Sequence, residues 1–138
     1  MRLIHSHTLK LERFDDNVPP YAILSHTWQE MEVTFEDMCR NPNYCTLKGW
    51  SKIKECAGLA KRDDIEYIWI DTCCIDKSSS AELSEAINSM FRWYQQTAIC
   101  YAFLHDVSIS SSADYLVREG QLRASRWFTR GMVGRCKS

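Results

Sequence analysis

Short, unbroken apolar runs alternate along this chain with longer segments in which apolar residues recur every three or four positions. The runs cover residues 21–24, 67–70 and 99–104, and their length and continuity predict strands that are buried on both faces. Pro19 and Pro20, directly before the first run, exclude a helix there. The order strand, helix, strand, helix, strand predicts an α/β fold of three layers, in which helices flank a mainly parallel sheet.

Two amphipathic patterns fill the intervals between these strands. The first predicts a helix whose apolar face is formed by Trp50, Ile53, Ala57 and Ala60. Lys52 and Lys54 are placed off that face. The second predicts a helix from about residue 80 to residue 97, packed on the sheet through Leu83, Ile87, Met90 and Tyr94.

The second helix also has a start signal. Ser79, followed three residues later by Glu82, predicts a capping box, in which the hydroxyl and the carboxylate accept hydrogen bonds from backbone N–H groups. At about 100° per residue, Glu82 falls on the flank of the apolar face and Glu85 nearly opposite it. Glu82 is therefore either a structural cap or a carboxylate that faces a crevice.

The segments before and after the first predicted strand contain shorter elements. Residues 2–4 and 8–11 are strand-like and either pair as a hairpin or lie along a sheet edge. A short helix is expected at residues 35–39. These elements extend the α/β arrangement without changing its class.

Composition and charge exclude several classes of protein. The chain has 138 residues, 45% apolar and 25% charged, as expected of one ordinary globular domain. Seventeen basic and eighteen acidic residues, with no long block of like charge, argue against a nucleic-acid partner. No apolar run approaches the roughly 18 residues of a membrane span, so no membrane contact is expected.

Cysteine usage favours a reducing compartment. The chain has seven cysteines, an odd number, and its N-terminus lacks the layout of a signal peptide. We therefore expect reduced thiols and a cytoplasmic location. No pair with metal-ligand spacing occurs, and Cys73 and Cys74, expected on opposite sides of a strand, are interpreted as buried apolar fillers rather than nucleophiles.

Polar clusters follow two of the predicted strands. Ser25, His26 and Trp28 follow the first strand, and Asp71 and Asp76 follow the second. Because ligands of open α/β sheets bind beyond the carboxyl ends of the strands, these clusters predict a pocket at that edge.

Each of these residues also has a purely structural interpretation. Asp71 and Asp76 either cap a turn or hold a ribose hydroxyl. Trp28 either packs in the interior or stacks on a flat ring. Arg130, in "WFTRG", either pairs with a carboxylate or contacts a phosphate.

Four sequence blocks, in the order "PPYAILSHTW", "YIWIDTCCIDKSSSAELSEAINSMFRWY", "AICYAFLHDV" and "SRWFTRG", closely resemble the fungal heterokaryon incompatibility (HET) domain. The resemblance implies a module of fungal self/non-self recognition whose activation leads to programmed cell death. It further implies a distant relation to TIR domains of innate immunity, which have a flavodoxin-like α/β fold and of which some cleave NAD with a helix-borne glutamate.

The chain departs from the family pattern in two places. Gln29 stands where "SHTWG" usually has glycine. The replacement disfavours a turn with positive φ, or a close approach of the backbone to a ligand, at this position. After "WFTRG" the family continues "WTLQEL", whereas this chain reads "MVGRCKS". We therefore expect a single HET domain over residues 1–138 that is truncated after Gly131, and an incomplete fold.

The resemblance leads to a specific functional hypothesis. We expect a death-inducing effector that acts as an NAD glycohydrolase, with Glu82 as its catalytic residue and ligand-binding residues Ser25, His26, Trp28, Asp71, Asp76 and Arg130. NAD is the expected nucleotide ligand and substrate, and neither a cofactor nor a metal ion is expected. The alternative is a non-enzymatic module of an innate-immunity-like receptor, which signals by forming a homo-oligomer or by recruiting a signalling protein.

Overall fold

A five-stranded sheet forms the centre of the domain in a computed structural model that describes residues 1–103. The strands are β1 (Arg2–His5), β2 (Leu11–Arg13), β3 (Tyr21–His26), β4 (Tyr67–Trp69) and β5 (Ile99–Phe103). The helices are α1 (Phe35–Arg40), α2 (Gly49–Arg62), α3 (Asp71–Cys74) and α4 (Ser80–Gln96), with a 3₁₀ turn at Tyr44–Thr46. The expected strand residue 104, Arg130 and the segment after Gly131 lie outside the described residues.

The sheet is mixed, with strand order β2-β1-β4-β3-β5. β3 pairs in parallel with β4 on one side and with β5 on the other. Strands β1 and β2 form an antiparallel hairpin, and β1 also pairs with β4 in the antiparallel direction. The predicted α/β class and the three predicted parallel strands are confirmed, because α2 and α4 supply the crossover that each parallel connection needs.

Side chains of β3 alternate between the two helical layers. The Tyr21 hydroxyl donates to the Trp93 carbonyl of α4 at 2.8 Å, whereas His26, five residues later on the opposite face, meets Lys52 of α2. Every residue of β3 is buried. The central strand is thus covered on both faces, as its continuous apolar run predicts.

Helix α2 packs through the predicted residues and one more. Trp50, Ile53, Ala57 and Ala60 are buried, as predicted, but Lys52 is buried as well, with 4% of its surface exposed. The expectation that Lys52 lies off the packed face is wrong. Lys52 lies one turn before the buried Cys56, and its long stem carries the ammonium to polar partners at the sheet edge.

Helix α4 is rotated relative to the predicted apolar stripe. Ala86 is its buried residue, with Leu83, Met90, Trp93 and Tyr94 packed around it against the core. Ile87, predicted to pack on the sheet, is 65% exposed. The rotation follows from the aromatic side chains, since Trp93 meets Trp69 of β4 edge-on, with ring centroids 5.6 Å apart.

Half of the predicted capping box is present at the start of α4. The Ser79 hydroxyl accepts from the Glu82 N–H at 3.3 Å. The Glu82 carboxylate, however, accepts from the Asp76 N–H at 3.0 Å, because the Ser79 N–H already donates to the Asp76 carbonyl. A reciprocal box does form at α1, between Thr34 and Asp37.

The segment after β4 is a short helix rather than an extended chain. Cys73 and Cys74 are both buried in α3, so the expectation that they point to opposite sides of a strand is wrong. Burial raises the pKa of the Cys73 thiol to about 12, which suits a filler and not a nucleophile.

Cysteine oxidation differs from the expectation at one position. Cys39, Cys45, Cys56, Cys73 and Cys74 are free thiols, whereas Cys100 on β5 is disulfide-bonded. Pairing depends on the fold bringing two Cα atoms within about 7 Å, which a count of cysteines does not reveal.

Within residues 1–103, no helix is both long and apolar enough to cross a bilayer.

Gly49 provides a test of how α2 is seated. Its N–H donates to the Met31 carbonyl at 3.1 Å, and a Cβ at this position would lie 2.9 Å from both Glu32 Cα and Val33 N. We expect Gly49→Ala to lower the free energy of unfolding by about 1–3 kcal/mol, because backbone must move to relieve the overlap.

Gly58, on the exposed side of the same helix, is the matched control. A Cβ there meets nothing within 4 Å, so Gly58→Ala should raise the free energy of unfolding by about 0.5–1 kcal/mol through helix propensity. Urea denaturation of both variants measures the difference. Equal effects of the two substitutions would contradict this account of the α2 contact.

Candidate functional site

The carboxyl ends of β3 and β4 bring two predicted site residues into contact. His26 is the last residue of β3, and Asp71 opens α3 just after β4. The His26 Nε2 and Asp71 Oδ1 atoms are 2.8 Å apart. The connections from these strands lead to opposite faces of the sheet, which is the topology that opens a crevice in α/β proteins.

Both oxygens of the Asp71 carboxylate are hydrogen-bonded. The Trp28 indole N–H donates to Oδ2 at 2.8 Å, while Oδ1 faces His26. Burial alone would raise the pKa of Asp71, but the contacts with His26 and Trp28 outweigh it, so the pKa lies below its usual value. Asp71 is therefore a fixed anion at the sheet edge at neutral pH.

Lys52 is hydrogen-bonded to the other ring nitrogen of His26. Its ammonium donates to His26 Nδ1 at 3.0 Å and to Glu32 Oε1 at 2.5 Å. Because an ammonium has only donors, Nδ1 must accept and the ring proton must lie on Nε2, from which it is donated to Asp71. His26 is thus a spacer between a cation and an anion, with neither nitrogen left free to act as a general base.

Lys52 and Glu32 were not identified from the sequence. A helical lysine beside an apolar stripe is ordinarily solvated, and the burial of Lys52 depends on the acid that the loop after β3 brings to it. The only sequence signal is its position one turn before Cys56. A buried ammonium is costly unless it is paired, and here the carboxylate and the imidazole together provide that pairing.

Trp28 and Lys77 form the outer rim of this group. Trp28 is 50% exposed, and the Lys77 ammonium lies 3.3 Å from the centroid of its ring. Burial lowers the pKa of Lys77, and the nearby Asp71 carboxylate opposes that effect. The rim therefore presents an aromatic face and a cation beside the fixed Asp71 carboxylate. We call Glu32, Lys52, His26, Asp71, Trp28 and Lys77 the His26 group.

Glu82 belongs to a second group of contacts. Its carboxylate forms an ion pair with Arg2 of β1 and accepts from the Asp76 N–H. The Arg2 guanidinium carbon lies 4.5 Å from the centroid of the Phe35 ring on α1. The Asp76 carboxylate accepts from the Ser78 hydroxyl at 2.6 Å and from its N–H at 3.0 Å, and these bonds lower the Asp76 pKa.

A cavity of about 240 Å³ lies beside Glu82, between the β1–β2 hairpin and α4. Its charged and aromatic lining consists of Arg2, Arg13, Glu82, Glu85, Trp69 and Trp93. Two guanidinium groups and two carboxylates thus surround one small space. No sequence pattern marked Arg2 or Arg13, because they reach this space only through the pairing of β1 with β4.

Six of the seven predicted site residues lie in the described part of the chain, and they are distributed over three places. His26, Trp28 and Asp71 are in direct contact, and the Asp76 backbone contacts Glu82 instead. Ser25 is buried on the face of β3 opposite His26. Arg130 lies outside the described residues. In the described part of the chain, no group of three or more His, Cys, Asp or Glu side chains is arranged to hold a metal ion.

The His26 group predicts a large difference between two lysines of the same helix. Lys52→Met should lower the free energy of unfolding by on the order of 3–5 kcal/mol, because it leaves the Glu32 carboxylate buried without its cation. Lys54→Met, at an exposed position of α2, should change it by less than about 0.5 kcal/mol. Thermal or urea denaturation distinguishes the variants, and two equally stable proteins would show that the Lys52 pair contributes nothing.

Two comparisons relate this chain to known proteins. The family model of the heterokaryon incompatibility protein (HET) matches residues 21–132. The vegetative incompatibility protein HET-E-1 of Podospora anserina is 48% identical over 122 residues, which make up 83% of this chain and 9% of that protein. The chain thus spans about a tenth of the length of this relative.

No solved structure matches the chain. The family model extends from the start of β3 through the His26 group and Glu82, and it leaves out the β1–β2 hairpin. The match over most of the chain confirms the resemblance of the four sequence blocks, and the chain belongs to the heterokaryon incompatibility (HET) protein family.

Proposed function

We propose that this chain is an effector domain of fungal heterokaryon incompatibility, whose activation leads to cell death. The family match over residues 21–132 and the 48% identity with a vegetative incompatibility protein support this proposal. Because the chain spans 9% of that relative, the proposed function is that of one domain and not of the whole relative.

The proposed mechanism is cleavage of NAD at the bond between nicotinamide and ribose, by analogy with TIR domains. The observation that carries it is the position of Glu82, at the start of α4 and in a cavity beyond the carboxyl end of β4. As nicotinamide leaves, positive charge develops on the ribose, and a carboxylate held in a small cavity stabilises that charge.

The His26 group has a supporting role in this proposal. It holds the Asp71 carboxylate in one orientation, and it keeps Trp28 half-exposed at the rim. We propose that Asp71 accepts from a ribose hydroxyl and that Trp28 stacks on a base of the dinucleotide. His26 itself transfers no proton, because both of its nitrogens are engaged.

A second candidate function is self-association without catalysis. The observation in its favour is the exposure of Ile87 and Phe91, one turn apart on α4, at 65% and 55% of their surface. Large apolar side chains this exposed are typical of protein contact surfaces when they are adjacent. In this function the domain signals by assembling copies of itself, and Glu82 has only its structural contacts.

Glu82→Gln tests the catalytic proposal. Gln keeps an acceptor for the Asp76 N–H but loses the charge, so nicotinamide release from NAD by the full chain should fall by about 10²–10³-fold. Cell killing on expression in a fungal host should fall with it. Glu55→Gln, at an exposed position of α2, is the matched control and should leave both readouts unchanged.

Two results would count against the catalytic role. One is a folded Glu82→Gln protein that releases nicotinamide at the normal rate. The other is normal killing by that variant at an unchanged protein level, with the thermal midpoint of the purified variant recorded beside it.

The self-association function predicts a different sensitivity. Ile87→Glu places a charge on the exposed surface of α4 and should abolish both oligomer formation and killing, while NAD cleavage, where it occurs, persists. Light scattering of the purified variants measures the oligomer. Gln95→Glu, at an exposed position of α4, is the matched control. Thr97→Glu would not serve, because the Thr97 hydroxyl donates to the Tyr21 carbonyl.

A further inference from the structure

The cavity beside Glu82 is built by two parts of the chain that the sequence separates widely. Met1, Arg2 and Arg13 come from the hairpin, while Ser79, Glu82 and Glu85 come from the start of α4. The hairpin lies outside the segment that the HET family model matches. Whatever this cavity binds is therefore contacted on one side by residues that the family model does not describe.

Charged side chains of both signs line the space in equal number. Arg2 and Arg13 contribute two guanidinium groups, and Glu82 and Glu85 contribute two carboxylates. A simple anion would be repelled by the glutamates, and a simple cation by the arginines. The lining is complementary to a ligand that carries both a positive and a negative group.

Aromatic rings complete the lining. Trp69 and Trp93 meet edge-on at the side of the cavity that faces the core. Trp69 is 1% exposed, so the half-buried Trp93 is the ring that a ligand can reach. Tryptophan is the aromatic side chain whose face attracts a cation most strongly. A positively charged aromatic ring joined to a phosphate therefore matches each part of this lining.

Arg13 is available to such a phosphate. Its present partner is Asp15, with Nε and Oδ1 2.9 Å apart, and the two side chains are 66% and 73% exposed. An exposed ion pair of this kind has little net stability, so its exchange for a phosphate is cheap. The planar guanidinium group then binds two phosphate oxygens at once.

Arg2 is the residue that connects ligand binding to Glu82. It is partly buried and paired with the Glu82 carboxylate, and the Phe35 ring supports its guanidinium group. A phosphate in the cavity competes with Glu82 for Arg2. Glu82 Oε1 accepts both from Arg2 and from the Asp76 N–H. When Arg2 moves to the phosphate, Oε1 keeps its bond from the Asp76 N–H and the carboxylate loses its cationic partner, so its negative charge is available to the ligand.

We propose that this cavity binds a pyridinium mononucleotide, that is, the nicotinamide half of NAD, with Arg13 and Arg2 on the phosphate and Glu82 facing the cationic ring and its ribose. Arg2 is a positioning residue, which masks Glu82 in the free protein and releases it when the phosphate is bound. This inference rests on the proposed NAD cleavage for its biological meaning, but the binding it describes is measurable without any cleavage.

The test is binding of nicotinamide mononucleotide to the full chain, measured by calorimetry and by tryptophan fluorescence. Arg13→Gln should weaken binding by roughly 10- to 100-fold, as expected for loss of a charged hydrogen-bonding partner. Arg92→Gln, on an exposed part of α4 outside this cavity, is the matched control and should bind normally. Because Arg13 is exposed, its substitution does not endanger the fold.

Ligand analogues test the charge pattern directly. The reduced mononucleotide lacks the ring charge, and adenosine monophosphate lacks the pyridinium ring, so both should bind more weakly than the oxidised form. Inorganic phosphate alone should bind weakly as well, because Glu82 and Glu85 oppose it. Equal affinity for oxidised and reduced mononucleotide would overturn the assignment of Glu82 to the cationic ring.

Arg2→Gln separates positioning from simple binding. In NAD cleavage this variant should raise KM by loss of a phosphate contact while leaving kcat nearly unchanged, since Glu82 is then permanently unmasked. Lower kcat with unchanged KM would overturn the proposed exchange.

Failure of this inference and failure of the proposed function give different results. Arg13-dependent binding of the mononucleotide without nicotinamide release from NAD supports the site and contradicts the cleavage. Release of nicotinamide with the same KM in the wild type and in Arg13→Gln supports the cleavage and overturns the site.

Discussion

Burial of β3 on both faces and along both edges is the constraint on which the rest of the structure depends. Each of its six residues is buried, and it is hydrogen-bonded to β4 on one side and to β5 on the other. A parallel strand in this position needs a helix over each face, and right-handed crossovers that leave in opposite directions place those helices on opposite faces. Helices α2 and α4 occupy these two positions.

The same constraint creates the polar edge. Because β3 and β4 end side by side and their connections diverge, His26 and Asp71 meet where the helices leave a gap. Polar groups taken out of water there must find partners within the protein. The series from Glu32 through Lys52 and His26 to Asp71 meets that requirement, and Trp28 and Lys77 end it at the solvent.

The β1–β2 hairpin adds a second chemical environment to this edge. By pairing antiparallel with β4, β1 brings Arg2 to the start of α4, where Glu82 already accepts from the loop before the helix. In the His26 group, both Asp71 oxygens and both His26 ring nitrogens are engaged. The Arg2–Glu82 pair lies beside the small cavity, and both of its side chains remain partly exposed. The carboxyl end of the sheet thus combines a closed hydrogen-bonded series with a partly exposed ion pair.

The sequence by itself determined the main elements and the family, because both depend on local patterns, whereas the short helix α3 was not predicted. Continuous apolar runs marked β3, β4 and β5, the apolar positions of α2 marked its packed face, and four motif blocks identified the HET family. Only the tertiary structure decided which polar side chains meet. The burial of Lys52 depends on a carboxylate 20 residues away, and the pairing of Arg2 with Glu82 spans 80 residues. Likewise, the choice between Ala86 and Ile87 as the buried residue of α4 was made by contact between Trp69 and Trp93. Such contacts arise from the spatial order of strands, and the periodicity of a single helix or strand carries no information about that order.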